Sequence, residues 1–173
     1  MEERVAIFID FQNLHYLIDF KTTNLRLDYE KFINKITGGR RLFRAYIYMA
    51  LLEDCDIDEV AVDKQRKFIY ALNRIPCMHV VQGVLKSRGD SFKEKGVDIA
   101  LALDAVTLSD HYDTAALVSG DGDFEKLLRI LQERGKHTEV YSSSTQLAPE
   151  LVRYADVLVD LNDTFIKECQ RDV

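Results

Sequence analysis

Cysteine is scarce in this sequence, and what there is forms no pattern. Cys55, Cys77 and Cys169 are odd in number, far apart and outside any C-x-x-C spacing, which argues against a disulfide framework or a zinc site and for reduced thiols. Histidine is no more use to a metal. His15, His79, His111 and His137 are scattered without ligand spacing, and each reads as a surface or core histidine. Long apolar runs are missing as well: none approaches the roughly 18 residues of a membrane span, so no membrane segment is expected. The opening Met1-Glu2-Glu3-Arg4 has neither a basic n-region nor a small-residue cleavage site. No signal peptide is therefore expected, and a cytoplasmic location is the default. Positive charge is in deficit. A net charge of -6 and a pI near 5.2 speak against a surface that attracts nucleic acid everywhere. Repeats, linkers and low-complexity segments are absent. With 173 residues, the expectation is one domain over residues 1-173, with a core over about 4-161 and a helical tail over 162-173.

What is present is unevenly placed. Basic residues gather in the first half, at Lys31, Lys35, Arg40, Arg41 and Arg44, and again at Lys64, Arg66, Lys67 and Arg74. Much of the acidic excess sits in Glu53-Asp54-Cys55-Asp56-Ile57-Asp58-Glu59 and in the later helices. A local basic face is compatible with the negative total, and so are simple solvated helix faces. Arg40, Arg41, Lys86, Arg88, Lys93 and Lys95 are the candidates for phosphate contacts.

Hydrophobic periodicity alternates strand with helix. Val5-Ala6-Ile7-Phe8-Ile9, ending at Asp10, is a continuous apolar run of the kind buried on both faces of a parallel sheet. A helix is expected from Asn13 through Phe20, then one capped by Asp28 and ended by Gly38-Gly39. A second strand follows over Leu42 to Leu52, a helix over about Val60 to Asn73 stopping before Pro76, and a third strand over Met78 to Leu85. The polar stretch from Lys86 to Gly96 reads as a mobile rim loop. Val97 to Leu108 is helical, with Ile99, Leu103 and Val106 spaced to face a core. Ala115-Ala116-Leu117-Val118 is the fourth strand, His137 to Ser142 the fifth and Asp156 to Leu161 the last, with helices Phe124 to Arg134 and Leu147 to Tyr154 between them. This alternation predicts an α/β three-layer sandwich whose mainly parallel sheet has five or six strands in the order 3-2-1-4-5.

The chain is organised around Ser119-Gly120-Asp121-Gly122-Asp123-Phe124, between the fourth strand and the helix after it. Glycines at 120 and 122 permit a sharp turn. One acid there suffices as a helix cap; two invite a further explanation. In the order above, the first and fourth strands adjoin where the winding reverses, so Asp10 and Asp121 end neighbouring strands at the switch point. Asp123 follows at once, and Asp98 opens the helix that feeds the fourth strand. Two such charges about 5 Å apart repel by roughly 3 kcal/mol at an effective dielectric near 20. Hard cations, Mg2+ or Mn2+, offset this through oxygen ligands, and water attacking a phosphodiester is the reaction such a site supports. Asn13 and Ser119 are candidate supporting groups for a water or phosphate oxygen. A helix N-terminus and a turn hydroxyl are their plainer roles.

Ile9-Asp10-Phe11-Gln12-Asn13, Lys95-Gly96-Val97-Asp98-Ile99 and Ser119-Gly120-Asp121-Gly122-Asp123-Phe124 resemble the three blocks of the NYN domain, in its LabA-like branch, within the PIN-like nuclease superfamily. The resemblance implies a metal-dependent ribonuclease with Asp10, Asp98, Asp121 and Asp123 as its catalytic and metal-binding acids, and RNA as its substrate. Asp104 matches a further acidic position of the family, where its place on the helix suggests a salt bridge. The alternative is a catalytically silent PIN-like protein that binds RNA or a regulatory partner. A homodimer is a further expectation, on the ground that Phe165-Ile166 and Tyr46-Ile47-Tyr48 exceed what one small domain buries.

Overall fold

In a computed structural model, the described residues are 2-21, 26-51, 59-88 and 91-171, with 19-21, 84-88 and 91-95 described by their backbone alone. Seven strands form one sheet: β1 (Arg4–Asp10), β2 (Arg41–Leu51), β3 (Met78–Arg88), β4 (Ser91–Lys95), β5 (Thr114–Val118), β6 (His137–Ser142) and β7 (Val157–Asp160). Their order is β4-β3-β2-β1-β5-β6-β7. Six strands are parallel, and they stand in the order predicted from the sequence with β7 completing the edge.

The seventh strand is a correction. The stretch read as a mobile rim loop is β4, paired antiparallel with the end of β3 from Val84 opposite Lys95 to Arg88 opposite Ser91. Polar composition hid it, because an edge hairpin beyond the sheet has no apolar face to bury and so lacks the alternation that marks a strand.

Strand alternation sends β1 into two cores. Val5, Ile7 and Ile9 pack against α1 (Phe11–Lys21), α2 (Tyr29–Thr37), α3 (Glu59–Leu72) and α7 (Asp163–Glu168) through residues such as Leu14, Leu17, Phe32, Ile33, Ile69 and Ile166. Ala6 and Phe8 pack on the other face against α4 (Val97–Thr107), α5 (Glu125–Glu133) and α6 (Pro149–Val152). Asp10 shares the parity of Ala6 and Phe8, so it emerges on the α4 and α5 side of the sheet.

Two expectations about faces change. On α4 the buried row is Val97, Leu101 and Ala105, whereas Ile99 and Leu103 are exposed. The helix is apolar around most of its circumference, so its periodicity cannot choose a face, and contact with the sheet chooses it instead. Most of the apolar surface invoked for a dimer is used within the fold: Ile47, Tyr48 and Ile166 are buried, and the half-buried Tyr46 and Phe165 pack on Phe8 and on Phe32 and Tyr141. Among the described residues no helix is long and apolar enough to cross a membrane.

The amino edge of the sheet is tied by charge. Arg40 donates to both carboxylate oxygens of Glu139 on β6, at 2.6 and 3.1 Å, and also to the Ile36 and Thr37 carbonyls and to Glu3. The Tyr141 hydroxyl completes the Glu139 shell at 2.9 Å.

Candidate active site

The parallel pairing sets Ile9 beside Val118, so the chain leaves β1 at Asp10 and β5 at Ser119 side by side at the carboxyl edge. Two hydrogen bonds then clamp the two exits, and a third orders the turn after β5. The Ser119 hydroxyl donates to Asp10 Oδ2 at 3.0 Å, the Gly120 amide to Asn13 Oδ1 at 3.0 Å, and the Asp121 amide to Ser119 Oγ at 3.2 Å. Asp10 Oδ1 accepts the Asn13 amide at 3.1 Å and so caps α1. That is why the helix starts at Phe11, two residues before the predicted Asn13: Asp10 is its own cap. Asp121 in turn accepts the Asp123 amide at 3.0 Å and caps the short 3-10 turn Gly122–Phe124. The capping role is therefore filled, by Asp10 for α1 and by Asp121 for the 3-10 turn.

Asp10, Asp98 and Asp121 line one open cleft of about 380 Å³, together with Gln12, Asn13 and Tyr16. Asp98 arrives on the first turn of α4, a helix that packs against β1 and β2. Asp123 does not line this cleft. It sits one step along, in an adjoining groove of about 530 Å³ between α4 and α5 that Asp98 also lines. The four acids form one electrostatic group nonetheless. Burial, with Asp10 only 7% exposed, and the charges of Asp98 and Asp121 hold the Asp10 carboxyl above its ordinary range, against the pull of its Asn13 and Ser119 hydrogen bonds. Partial burial and the charges of Asp121 and Asp123 raise Asp98 likewise.

The donor set suits one kind of ion. Among the described residues no three carboxyl, imidazole or thiol groups converge closely enough to hold a metal by themselves. Mg2+ and Mn2+ seldom require that: a hard ion of this kind keeps several waters and uses one or two carboxylates plus substrate phosphate. Oxygen donors without histidine or thiolate fit it and do not fit zinc.

The remaining candidates fall in four places. Ser119 and Asn13 act within the clamp, and Ser119 is buried. Asp104 makes a hydrogen bond with the Tyr48 hydroxyl, at 3.0 Å, and no salt bridge among the described residues. Arg40 and Arg41 lie at the amino edge, where Arg41 is registered against Arg4 at the far end of β1 from Asp10. Arg40 is bound to Glu139 and thereby withdrawn from the cleft. The side chains of Lys86, Arg88, Lys93 and Lys95 lie outside the described residues, but the backbone carries these positions past the carboxyl edge on the β3-β4 hairpin. Gln12 and Tyr16 were missed. The signal was their four-residue spacing, legible only once α1 is known to begin at Phe11.

Gly120 is the tightest point of the site. A Cβ there would stand 2.5 Å from both the Gln146 carbonyl oxygen and Ser142 Oγ, so the backbone can approach only without a side chain. Gly120→Ala is expected to cost roughly 1 to 3 kcal/mol, about 2 to 12 °C in melting temperature. It should also displace Asp121. A thermal melt within 1 °C or so of wild type would show that the turn gives way at no cost.

A three-layer α/β sandwich with an acidic cleft at its switch point defines the class. The NYN domain model matches residues 4-162, and the chain belongs to the NYN domain family. It is 30% identical over 178 residues to the low amplitude and bright protein LabA of Synechococcus elongatus, an alignment covering 97% of this chain and 90% of that protein. Among solved structures it is similar to VPA0982 of Vibrio parahaemolyticus, a protein of unknown function, with a TM-score of 0.77, 27% identity, and coverage of 98% of this chain and 97% of the other.

Proposed function

We propose that this protein is a divalent-metal-dependent ribonuclease that hydrolyses RNA phosphodiester bonds in the cleft between the ends of β1 and β5 and the start of α4. The observation that carries the reading is the meeting of Asp10, Asp98 and Asp121 at the switch point of an NYN-family sheet. Bound Mg2+ or Mn2+ supplies Lewis acidity toward the phosphate and a lowered pKa for water. Everything else falls to the chain. Asp98 and Asp121 present carboxylate oxygens to the cleft, Asp10 is held there by its clamp, and Asp123 deepens the negative potential. With its Oδ1 accepting from Gly120, Asn13 has its amide N–H groups to offer a phosphate oxygen.

RNA phosphates have a second place to go. The hairpin register sets Lys86 opposite Lys93, and alternation puts Arg88 and Lys95 at positions of the same face. Facing like charges weaken a hairpin until an anion joins them. Reversing the four charges is the corresponding test of RNA affinity and its salt dependence.

One observation favours the silent reading: Asp10 and Asp121 already have structural work as caps. Melting curves separate the two. Saturating Mn2+, at about a hundredfold excess over Kd, is expected to raise the wild-type midpoint by about 5 to 10 °C. Asp121→Asn retains an oxygen that can cap the 3-10 turn. It should therefore melt no lower than wild type in EDTA, while losing the response to Mn2+. A wild-type midpoint indifferent to Mn2+ and Mg2+ leaves the acids as caps only.

A further inference from the structure

The cleft has one wall that the hydrolysis chemistry does not require. Tyr16 lines it beside Asp10, Gln12, Asn13, Asp98 and Asp121, and is 65% exposed. On α1 the core is served by Leu14, Leu17 and Ile18. Gln12 and Tyr16, one turn apart, lie on the face that borders the acids. An exposed aromatic in an otherwise polar cleft buries nothing in the core. Its ring offers a large apolar surface beside the carboxylates.

We infer that Tyr16 is a stacking platform for the nucleobase next to the scissile phosphate, a positioning residue that acts through an unpaired base. The inference rests on the ribonuclease reading above and adds one residue's role to it. A phosphate held over Asp10, Asp98 and Asp121 has its attached nucleosides at the cleft walls, and Tyr16 forms one of those walls. A base in a duplex has both faces covered by its neighbours, so only a base freed from the helix can present a face to the ring. Stacking on an aromatic is tolerant of base identity, because every base has a π-face. The cleft should therefore choose by strandedness and much less by sequence. Tyr16 touches the base and not the reacting atoms, so it positions the substrate.

The test uses the full chain with a labelled ten-nucleotide single-stranded RNA, the same oligonucleotide with the base removed beside the cleaved bond, and the corresponding duplex. Tyr16→Ala is expected to lower kcat/KM on the intact oligonucleotide by about 5- to 150-fold. Tyr16→Phe and Tyr16→Trp should stay within about threefold of wild type. On the abasic oligonucleotide, wild type should fall to the level of Tyr16→Ala, and Tyr16→Ala should lose nothing more. The duplex should be poor for all. An unchanged Mn2+ shift in the melting curve of Tyr16→Ala shows that the fold and acids are intact. If wild type cleaves nothing, the ribonuclease reading fails, and anisotropy of the same oligonucleotides decides the platform: binding that drops with either the base or the ring supports it. The platform is overturned if Tyr16→Ala matches wild type, if Tyr16→Phe is as impaired as Tyr16→Ala, if wild type handles duplex and single strand equally, or if it binds no RNA.

Discussion

Asp98→Asn is expected to reduce Mn2+-dependent RNA cleavage by about 100- to 1,000-fold, the scale on which removal of one preorganised charge-stabilising group acts, while melting close to wild type in EDTA. The second half of that expectation follows from where Asp98 sits. It opens α4 without capping it and has no hydrogen-bond partner among the described residues, so the amide removes charge and little else. What stability Asp98 contributes through the α4 dipole is offset by its repulsion from Asp121 and Asp123. Asp121→Asn should behave alike. Asp10→Asn should not. Asp10 is buried between the Asn13 amide and the Ser119 hydroxyl, so the variant loses activity together with part of the clamp between β1 and β5. Gel-resolved cleavage of labelled RNA in Mn2+ and in EDTA, with a melting curve for each variant, reads both effects. Full activity in Asp98→Asn would remove the acids from the chemistry.

Arg40→Ala is expected to destabilise the protein by about 3 to 5 kcal/mol, the usual consequence of stranding one partner of a buried ion pair. The side chain of Glu139 is 9% exposed and that of Arg40 is 21% exposed, so the carboxylate left behind has little water to turn to. The paired guanidinium is raised further above its ordinary range, first by the Glu139 hydrogen bonds. The double variant Arg40→Met with Glu139→Leu should recover most of the loss, since an apolar pair of similar bulk needs no counter-charge. Urea unfolding of the two single variants and the double measures this directly. A loss below about 1 kcal/mol in Arg40→Ala would mean that the pair behaves as a solvated surface bridge. A charge reversal at Arg40 therefore tests folding, and the test of the proposed phosphate contacts belongs on the β3-β4 hairpin.

Element identity and strand order were legible in the residues because parallel strands buried on both faces must be apolar throughout. Val5 to Ile9 and Ala115 to Val118 are such runs, and right-handed crossovers leave few ways to arrange them. Asp10 and Asp121 were legible as neighbours for the same reason: an acid that ends a buried strand at the switch point has one place to be. Charge alone was a poor guide to partners. Arg40 reads as part of a basic patch until β6 brings Glu139 to it, a pairing across 99 residues that no local pattern announces.

Three further things were decided only by packing. The face of α4 turned on contact with β1 and β2, since an apolar stretch such as Val97 to Val106 offers a core any side. The hairpin of β3 and β4 forms without the alternation that a buried strand would display, because its register is set by pairing and not by burial. The cleft itself is tertiary. Asp10, Asp98 and Asp121 come from three separate segments, and Tyr16 joins them only because Asp10, by capping α1, sets where that helix begins and hence which of its side chains face the acids.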